Sequence, residues 1–214
     1  MRFRDRKEAG EQLAARLAAY RDMPDVLVLA LPRGGVPVGL EIANALHAPL
    51  DLLLVRKLGV PGQEEYAMGA IALGDVVVWN KEALAMIPLP QSVKEKVVAR
   101  ERQELERRNA LYRDGRPMPD VAGKTAIIVD DGLATGSTMR AAIQALRAQA
   151  PEKIVVAVPV GPPSVYEDVG EADEVICPYT PSGFMSVGGA YMKFPQLTDA
   201  EVNQLLSLKR KRSA

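Results

Sequence analysis

One cysteine and one histidine are all that the 214-residue chain holds of the two residue types that most often carry metal or nucleophilic chemistry. A lone Cys177 excludes an intramolecular disulfide, and its apolar setting from Glu174 to Pro178 reads as a buried strand residue. With His47 the only imidazole, at the end of a predicted helix, neither a zinc cluster nor a cysteine–histidine pair can be assembled, so a metal ion would be held by oxygen. Net charge is missing too: 27 basic residues balance 27 acidic ones. That balance argues against broad nucleic-acid binding, and the one basic run, Lys209 to Arg212, reads as the solvated tail of a helix. No eighteen uncharged apolar residues run together, and no apolar segment follows the charged start Met-Arg-Phe-Arg-Asp-Arg-Lys-Glu. No membrane partner is therefore expected, and a cytoplasmic protein is.

What is present suits a globular chain: 48% hydrophobic and 25% charged residues, in a length that fits one α/β domain over residues 1–214. Ala9, Leu13, Leu17 and Tyr20 fall at helical spacing. Asp25 to Leu31 is an apolar strand, followed by Pro32-Arg33-Gly34-Gly35 and a helix from about Val36 to His47, and Leu50 to Arg56 is a second buried strand. The Gly-, Pro- and charge-rich stretch from Lys57 to Met68 predicts an exposed, mobile loop. Met68 to Leu73 and Val76 to Trp79, flanking Gly74-Asp75, predict a short antiparallel excursion. Ser92 and Glu95 have capping-box spacing and open a helix to about Tyr112 that should face solvent, with Glu104 and Arg108 paired along it. Strands at Thr125–Val129, Ile154–Val160 and Glu174–Cys177 alternate with a helix from Ser137 to Ala148, and a last capped helix starts at Thr198. Strands separated by helices imply a doubly wound, mostly parallel sheet with ligands at the carboxyl ends of its strands.

Two motifs fall at such ends. In Ile127-Ile-Val-Asp-Asp-Gly-Leu-Ala-Thr-Gly-Ser-Thr138, small residues at the start of a helix let backbone N–H groups converge on a phosphate, and Thr135, Ser137 and Thr138 add hydroxyl donors. Asp130 and Asp131 are adjacent carboxylates that can accept hydrogen bonds from vicinal sugar hydroxyls or help hold a hydrated magnesium ion. An ordinary turn and helix cap would explain either half alone but not the twelve residues together. The second motif, Leu29-Ala-Leu-Pro-Arg-Gly-Gly-Val36, exposes backbone amides beside the Arg33 cation and can grip pyrophosphate. Neither a nucleotide P-loop nor a dinucleotide fingerprint occurs.

The first motif closely resembles the PRPP-binding signature of type I phosphoribosyltransferases, and the second resembles the pyrophosphate loop of the same family. The resemblance covers roughly Ala9 to Gly161 and is sharp only in the two motifs. It implies the type I phosphoribosyltransferase fold with a small C-terminal hood at about residues 162–197, magnesium as cofactor, PRPP and a nitrogenous acceptor as substrates, and a homodimer. It further implies that Ala134, Thr135, Gly136, Ser137 and Thr138 hold the 5-phosphate and that Asp130 and Asp131 serve the ribose and the metal. Arg33, Gly34, Gly35, Arg56 and Lys57 would hold the pyrophosphate, with Arg33, Asp130 and Asp131 catalytic, and the Pro32–Arg33 peptide is the place for a cis bond. Glu64, Glu65 and Tyr66 would belong to a lid.

The acceptor is less legible. Members acting on 6-oxopurines carry an acid where this chain has Ala134, and a lysine where it has Pro159 to Pro162, which disfavours hypoxanthine, guanine and xanthine. Tyr179, Phe184 and Tyr191 offer aromatic planes that could cover a flat heterocycle as an acceptor hood. The chain resembles a group of predicted bacterial phosphoribosyltransferases without an assigned acceptor. Besides transfer to a nitrogenous acceptor, a PRPP- or nucleotide-sensing regulator and a sugar-phosphate hydrolase remain compatible with the same motifs.

Overall fold

The computed structural model describes residues 2–74 and 76–212. Asp75 of the expected turn lies outside them, as do the side chains of Glu65 in the lid segment and of residues 210–212 in the basic run. A five-stranded parallel sheet forms the centre, in the order β2-β1-β6-β7-β8, from β1 (Val26–Ala30), β2 (Leu50–Leu52), β6 (Thr125–Val129), β7 (Lys153–Ala157) and β8 (Glu174–Ile176). β1 and β6 are buried at every residue, as strands covered by helices on both faces must be, which explains their unbroken apolar sequences. Helices α1 (Arg6–Arg16) and α2 (Gly35–Ala45) pack on one face, and α5 (Ser137–Arg147) covers the other. The strand order reverses between β1 and β6, and both motifs leave the sheet at the carboxyl ends of those two strands.

A second, antiparallel sheet, β3-β4-β5, comes from β3 (Val55–Val60), β4 (Gln63–Ala72) and β5 (Val76–Trp79). It corrects two expectations. The strand read from Leu50 to Arg56 is divided: Leu53 N still bonds Ala30 O at 3.0 Å, but Val55 already pairs with Ala72 of the other sheet. The segment from Lys57 to Met68 is no irregular loop but a hairpin closing at Pro61-Gly62, where Gly62 takes φ +82°, a conformation that glycine adopts without a Cβ penalty. Its charged residues concealed the strand pattern. The excursion through β4 and β5 forms as expected, with Ala72 opposite Val76.

The helix after the short α3 (Lys81–Met86) also differs. α4 spans Gln91–Arg113, is preceded by Pro90 and does not use Ser92 as its cap; Gln91 instead bonds Glu95 at 3.0 Å. Rather than facing solvent throughout, α4 turns a stripe of Val97, Glu101, Leu105 and Tyr112 onto the antiparallel sheet. The expected Glu104–Arg108 pair is present at 2.7 Å. β7 ends at Ala157, three residues before the expected limit, and Val160 makes a single bridge to Tyr179. After α6 (Val165–Asp168), residues 177–198 run irregularly apart from a 3₁₀ turn at Val187–Ala190. The last helix, α7 (Asp199–Arg212), has its capping box: Thr198 N donates to Glu201 at 2.7 Å and Glu201 N donates to the Thr198 hydroxyl at 3.3 Å. Among the described residues no helix is long and apolar enough to cross a membrane.

Candidate functional site

The two motifs meet. Gly34 lies so close to the second acid that a Cβ there would stand 2.1 Å from Asp131 Oδ2, and one on Gly35 would stand 2.4 Å from the Val129 carbonyl. Only glycine permits this approach, so the Pro32–Gly35 loop rests directly on the acidic pair. The Pro32–Arg33 peptide is cis, where the resemblance placed one. Arg33 itself points to the start of α7, its Nη1 3.8 Å from Asp199 Oδ1, and Tyr112 donates its hydroxyl to the same carboxylate.

Asp130 lines a cavity of about 170 Å³, is half-buried, and accepts the Asp131 N–H at 2.8 Å. Burial, reinforced by the neighbouring Asp131 charge, pushes its carboxyl well above the usual range. Asp131 is raised as well by burial, against the pull of a cation that sequence reasoning missed: Arg6, at the head of α1, donates from Nε to Asp131 Oδ2 at 2.8 Å. Arg6 is almost fully buried, donates from Nη1 to the Pro195 carbonyl at 2.8 Å, and lies 3.8 Å from the centre of the Phe194 ring. A signal for it existed: Arg6 leads the stripe Ala9, Leu13, Leu17, a charge where the pattern demands an apolar residue.

Ala134, Thr135, Gly136, Ser137 and Thr138, the residues expected to cradle a phosphate, line the 170 Å³ cavity together with Gly132, Leu133, Met139 and Val187. Gly136 takes φ +71° and so turns the chain into α5; Thr135 and Ser137 hydroxyls lie 3.1 Å apart. Arg56 and Lys57 line a second cavity of about 410 Å³ that Pro32 and Thr138 also border, whereas Arg33 and Gly34, expected to act with them, line a separate cavity of about 310 Å³ beside Arg6 and Asp131. Arg56 is held by Glu101 of α4 at 2.7 Å, a buried carboxylate that the sequence reading passed over as part of a solvated helix. Glu64 lines the same cavity; Tyr66 borders a different one, beside Ser137 and Arg140.

The hood aromatics separate. Tyr179 and Phe184 line a cavity of about 310 Å³ together with Arg2 and Ser186. Tyr191, expected to offer a ring face, is buried instead: it stacks on Phe194 at 4.9 Å, packs on Phe3 at 5.5 Å and donates its hydroxyl to the Asp131 carbonyl at 2.5 Å. Its place is structural, because an irregular segment needs such anchors to stay on the sheet end. Burial pushes its phenol far above the ordinary value. Gly132 completes the junction, since a Cβ there would meet the Val187 side chain at 2.6 Å.

The Ala134–Thr138 loop, the Asp130–Asp131 pair and the Pro32–Gly35 loop thus gather at neighbouring strand ends of a type I phosphoribosyltransferase fold. The phosphoribosyl transferase domain family matches residues 5–182, and the chain belongs to it. A protein of Mycobacterium tuberculosis named "Putative phosphoribosyl transferase", found in two strains, is 47% identical over 201 residues, covering 94% of this chain and 45% of its own length. The chain thus spans about half the length of the curated relatives it matches. The crystal structure of TT1426 from Thermus thermophilus is similar over 96% of this chain and 98% of its own, at 41% identity and a TM-score of 0.88.

Proposed function

We propose that the protein transfers the ribose 5-phosphate of PRPP to a nitrogenous acceptor and releases pyrophosphate. The contact of Gly34 with Asp131 carries this reading, because it sets the loop for one anionic group directly against the carboxylates that would hold the sugar hydroxyls. The 5-phosphate would rest on Ala134 to Thr138, and the pyrophosphate between the Pro32–Gly35 loop and Arg56 and Lys57. The anomeric C–O bond to pyrophosphate breaks as the acceptor nitrogen bonds to the same carbon, the bond's electrons leave with pyrophosphate, and the proton of that nitrogen passes to solvent. Arg33, Arg56 and Lys57 would stabilise the charge gathering on the leaving group. Closure of the β3–β4 hairpin over the site, through Glu64 and Tyr66, would exclude the water that otherwise hydrolyses PRPP.

The residues fit magnesium as a shared ligand. Among the described residues no cluster of three or more acidic, histidine or cysteine side chains stands ready to hold an ion. Asp130, however, is a carboxylate whose charge burial and Asp131 oppose, and a hydrated cation completed by substrate oxygens would relieve that opposition. When bound, the ion would neutralise part of the pyrophosphate charge.

Calorimetric titration with PRPP, with and without magnesium, tests the reading, with Asp130→Asn/Asp131→Asn as control. Magnesium-dependent binding lost in the double variant, followed by pyrophosphate release with one member of an acceptor panel, supports transfer. Binding without pyrophosphate release across the panel favours a PRPP sensor, release of inorganic phosphate without an acceptor favours a hydrolase, and no binding removes the assignment.

A further inference from the structure

Helix α4 does more than cover a sheet. Its inward stripe contains Glu101, only 5% exposed, which accepts from Arg56 Nε at 2.7 Å and from Arg100 Nε at 2.9 Å. One turn on, Glu104 accepts from Arg108 Nε at 2.7 Å and from Arg107 Nε at 2.8 Å, and these bonds hold its carboxyl down at about 2. Both carboxylates thereby fix guanidinium groups in place. Arg100 and Arg108 line the 410 Å³ cavity from the α4 side, facing Arg56 and Lys57 from β3, with Pro32 and Thr138 of the two motif loops at its border. Four cationic side chains thus surround one depression, against the single carboxylate of Glu64 on its lining.

A purely structural account explains the Arg56–Glu101 pair, which ties α4 to β3. Arg100 and Arg108 bring two further guanidinium groups to that lining, each oriented by a carboxylate of α4 and each left with donors that its carboxylate does not use, an arrangement that suits a phosphoryl anion in the cavity. We infer that Arg100 and Arg108 belong to the subsite for the diphosphate end of the substrate, so that α4 contributes two binding residues to the cavity that Arg56 and Lys57 line. The inference rests on the phosphoribosyltransferase reading and extends it to a helix outside both motifs. Guanidinium forks suit this ligand because they bind phosphoryl oxygens bidentately, and carboxylates behind them lower the freedom lost on binding.

The experiment compares wild type with Arg100→Gln/Arg108→Gln in titrations with inorganic pyrophosphate, with PRPP and with ribose 5-phosphate, each in the presence of magnesium. Loss of these charge-assisted bonds should weaken pyrophosphate and PRPP by about tenfold or more, while ribose 5-phosphate stays within about twofold. Thermal unfolding reports whether the variant is folded, and Arg100→Lys/Arg108→Lys should recover part of the lost affinity. Unchanged pyrophosphate affinity in the folded glutamine variant overturns the inference and leaves the wider reading standing, as does an equal loss for ribose 5-phosphate. A wild-type protein that binds none of the three ligands removes both.

Discussion

Arg6 and Asp131 stand 125 positions apart in the chain and 2.8 Å apart in space, both with nearly buried side chains. Asp131 adjoins a second carboxylate, Asp130, and the guanidinium offsets part of the burial that raises the Asp131 carboxyl. Removing it leaves buried negative charge without its partner, which costs about 3–5 kcal/mol. Arg6→Ala should therefore lower the unfolding midpoint by roughly 10 °C. It should also weaken PRPP binding, and Arg6→Lys should restore part of both. Calorimetric melting checks the first and titration the second; an unchanged midpoint would show that the pair adds nothing to stability.

The glycine loop gives a steric test. Gly35→Ala places a methyl group 2.4 Å from a backbone carbonyl, and Gly34→Ala places one 2.1 Å from a carboxylate oxygen. Since a backbone atom yields less than a side chain, Gly35→Ala should be the more destabilising, by about 3 kcal/mol, and Gly34→Ala should mainly displace Asp131 and abolish PRPP binding. Gly183→Ala, where nothing lies within 4 Å, is the control and should melt with wild type. Chemical denaturation of the three variants would rank them.

Acid stability should depend on Asp51. Burial pushes its carboxyl up, but the paired bonds and charge of Arg113, at 2.8 and 2.9 Å, together with the Leu52 N–H, outweigh burial and leave it below its ordinary 3.8. A depressed folded value means that the pair stabilises above the unfolded value and loses that contribution as pH falls through the folded one. Asp51→Asn should thus be less stable than wild type by about 3 kcal/mol at neutral pH. The gap should narrow below pH 3.8, as urea unfolding across pH would report.

Cys177 should be chemically silent. It is buried, and burial pushes its thiol up to about 11, so little thiolate exists at neutral pH. Alkylation at pH 8 should be slow in the folded protein and rapid in denaturant, read by mass spectrometry; fast native labelling would contradict the burial of Cys177 just beyond β8.

Much of the centre was legible because a parallel sheet writes its burial into the sequence: Thr125–Val129 is the strand that its apolar run predicts, with Asp130 and Asp131 at its end. The antiparallel sheet was less so, since β3 and β4 carry Arg56, Lys57, Glu64 and Tyr66 on strands whose one face meets solvent and cavity. Periodicity weakens where a strand serves a site as well as a core. Arg6 and Glu101 illustrate a second limit. Each interrupts an apolar helical stripe, and the partners that account for the burial, Asp131 and Arg56, are supplied by tertiary packing rather than by the helix itself. Tyr191 was assigned by residue type alone, and type does not say which way a ring faces.

The pairing of residues 3 and 4 with residues 190–193 has a temporal consequence. Phe3 N bonds Ala190 O, Met192 N bonds Phe3 O, and Lys193 N bonds Arg4 O, each within 2.9 Å, so two segments almost two hundred positions apart lie side by side. During synthesis both motifs leave the ribosome well before the later of those segments exists. Arg6 then waits for the Pro195 carbonyl and Phe194 ring that fix it, and Asp131 for the Tyr191 hydroxyl. A nascent polypeptide shorter than this therefore carries every motif residue without the clasp that holds Asp131, and the candidate site is complete only once translation has passed Pro195.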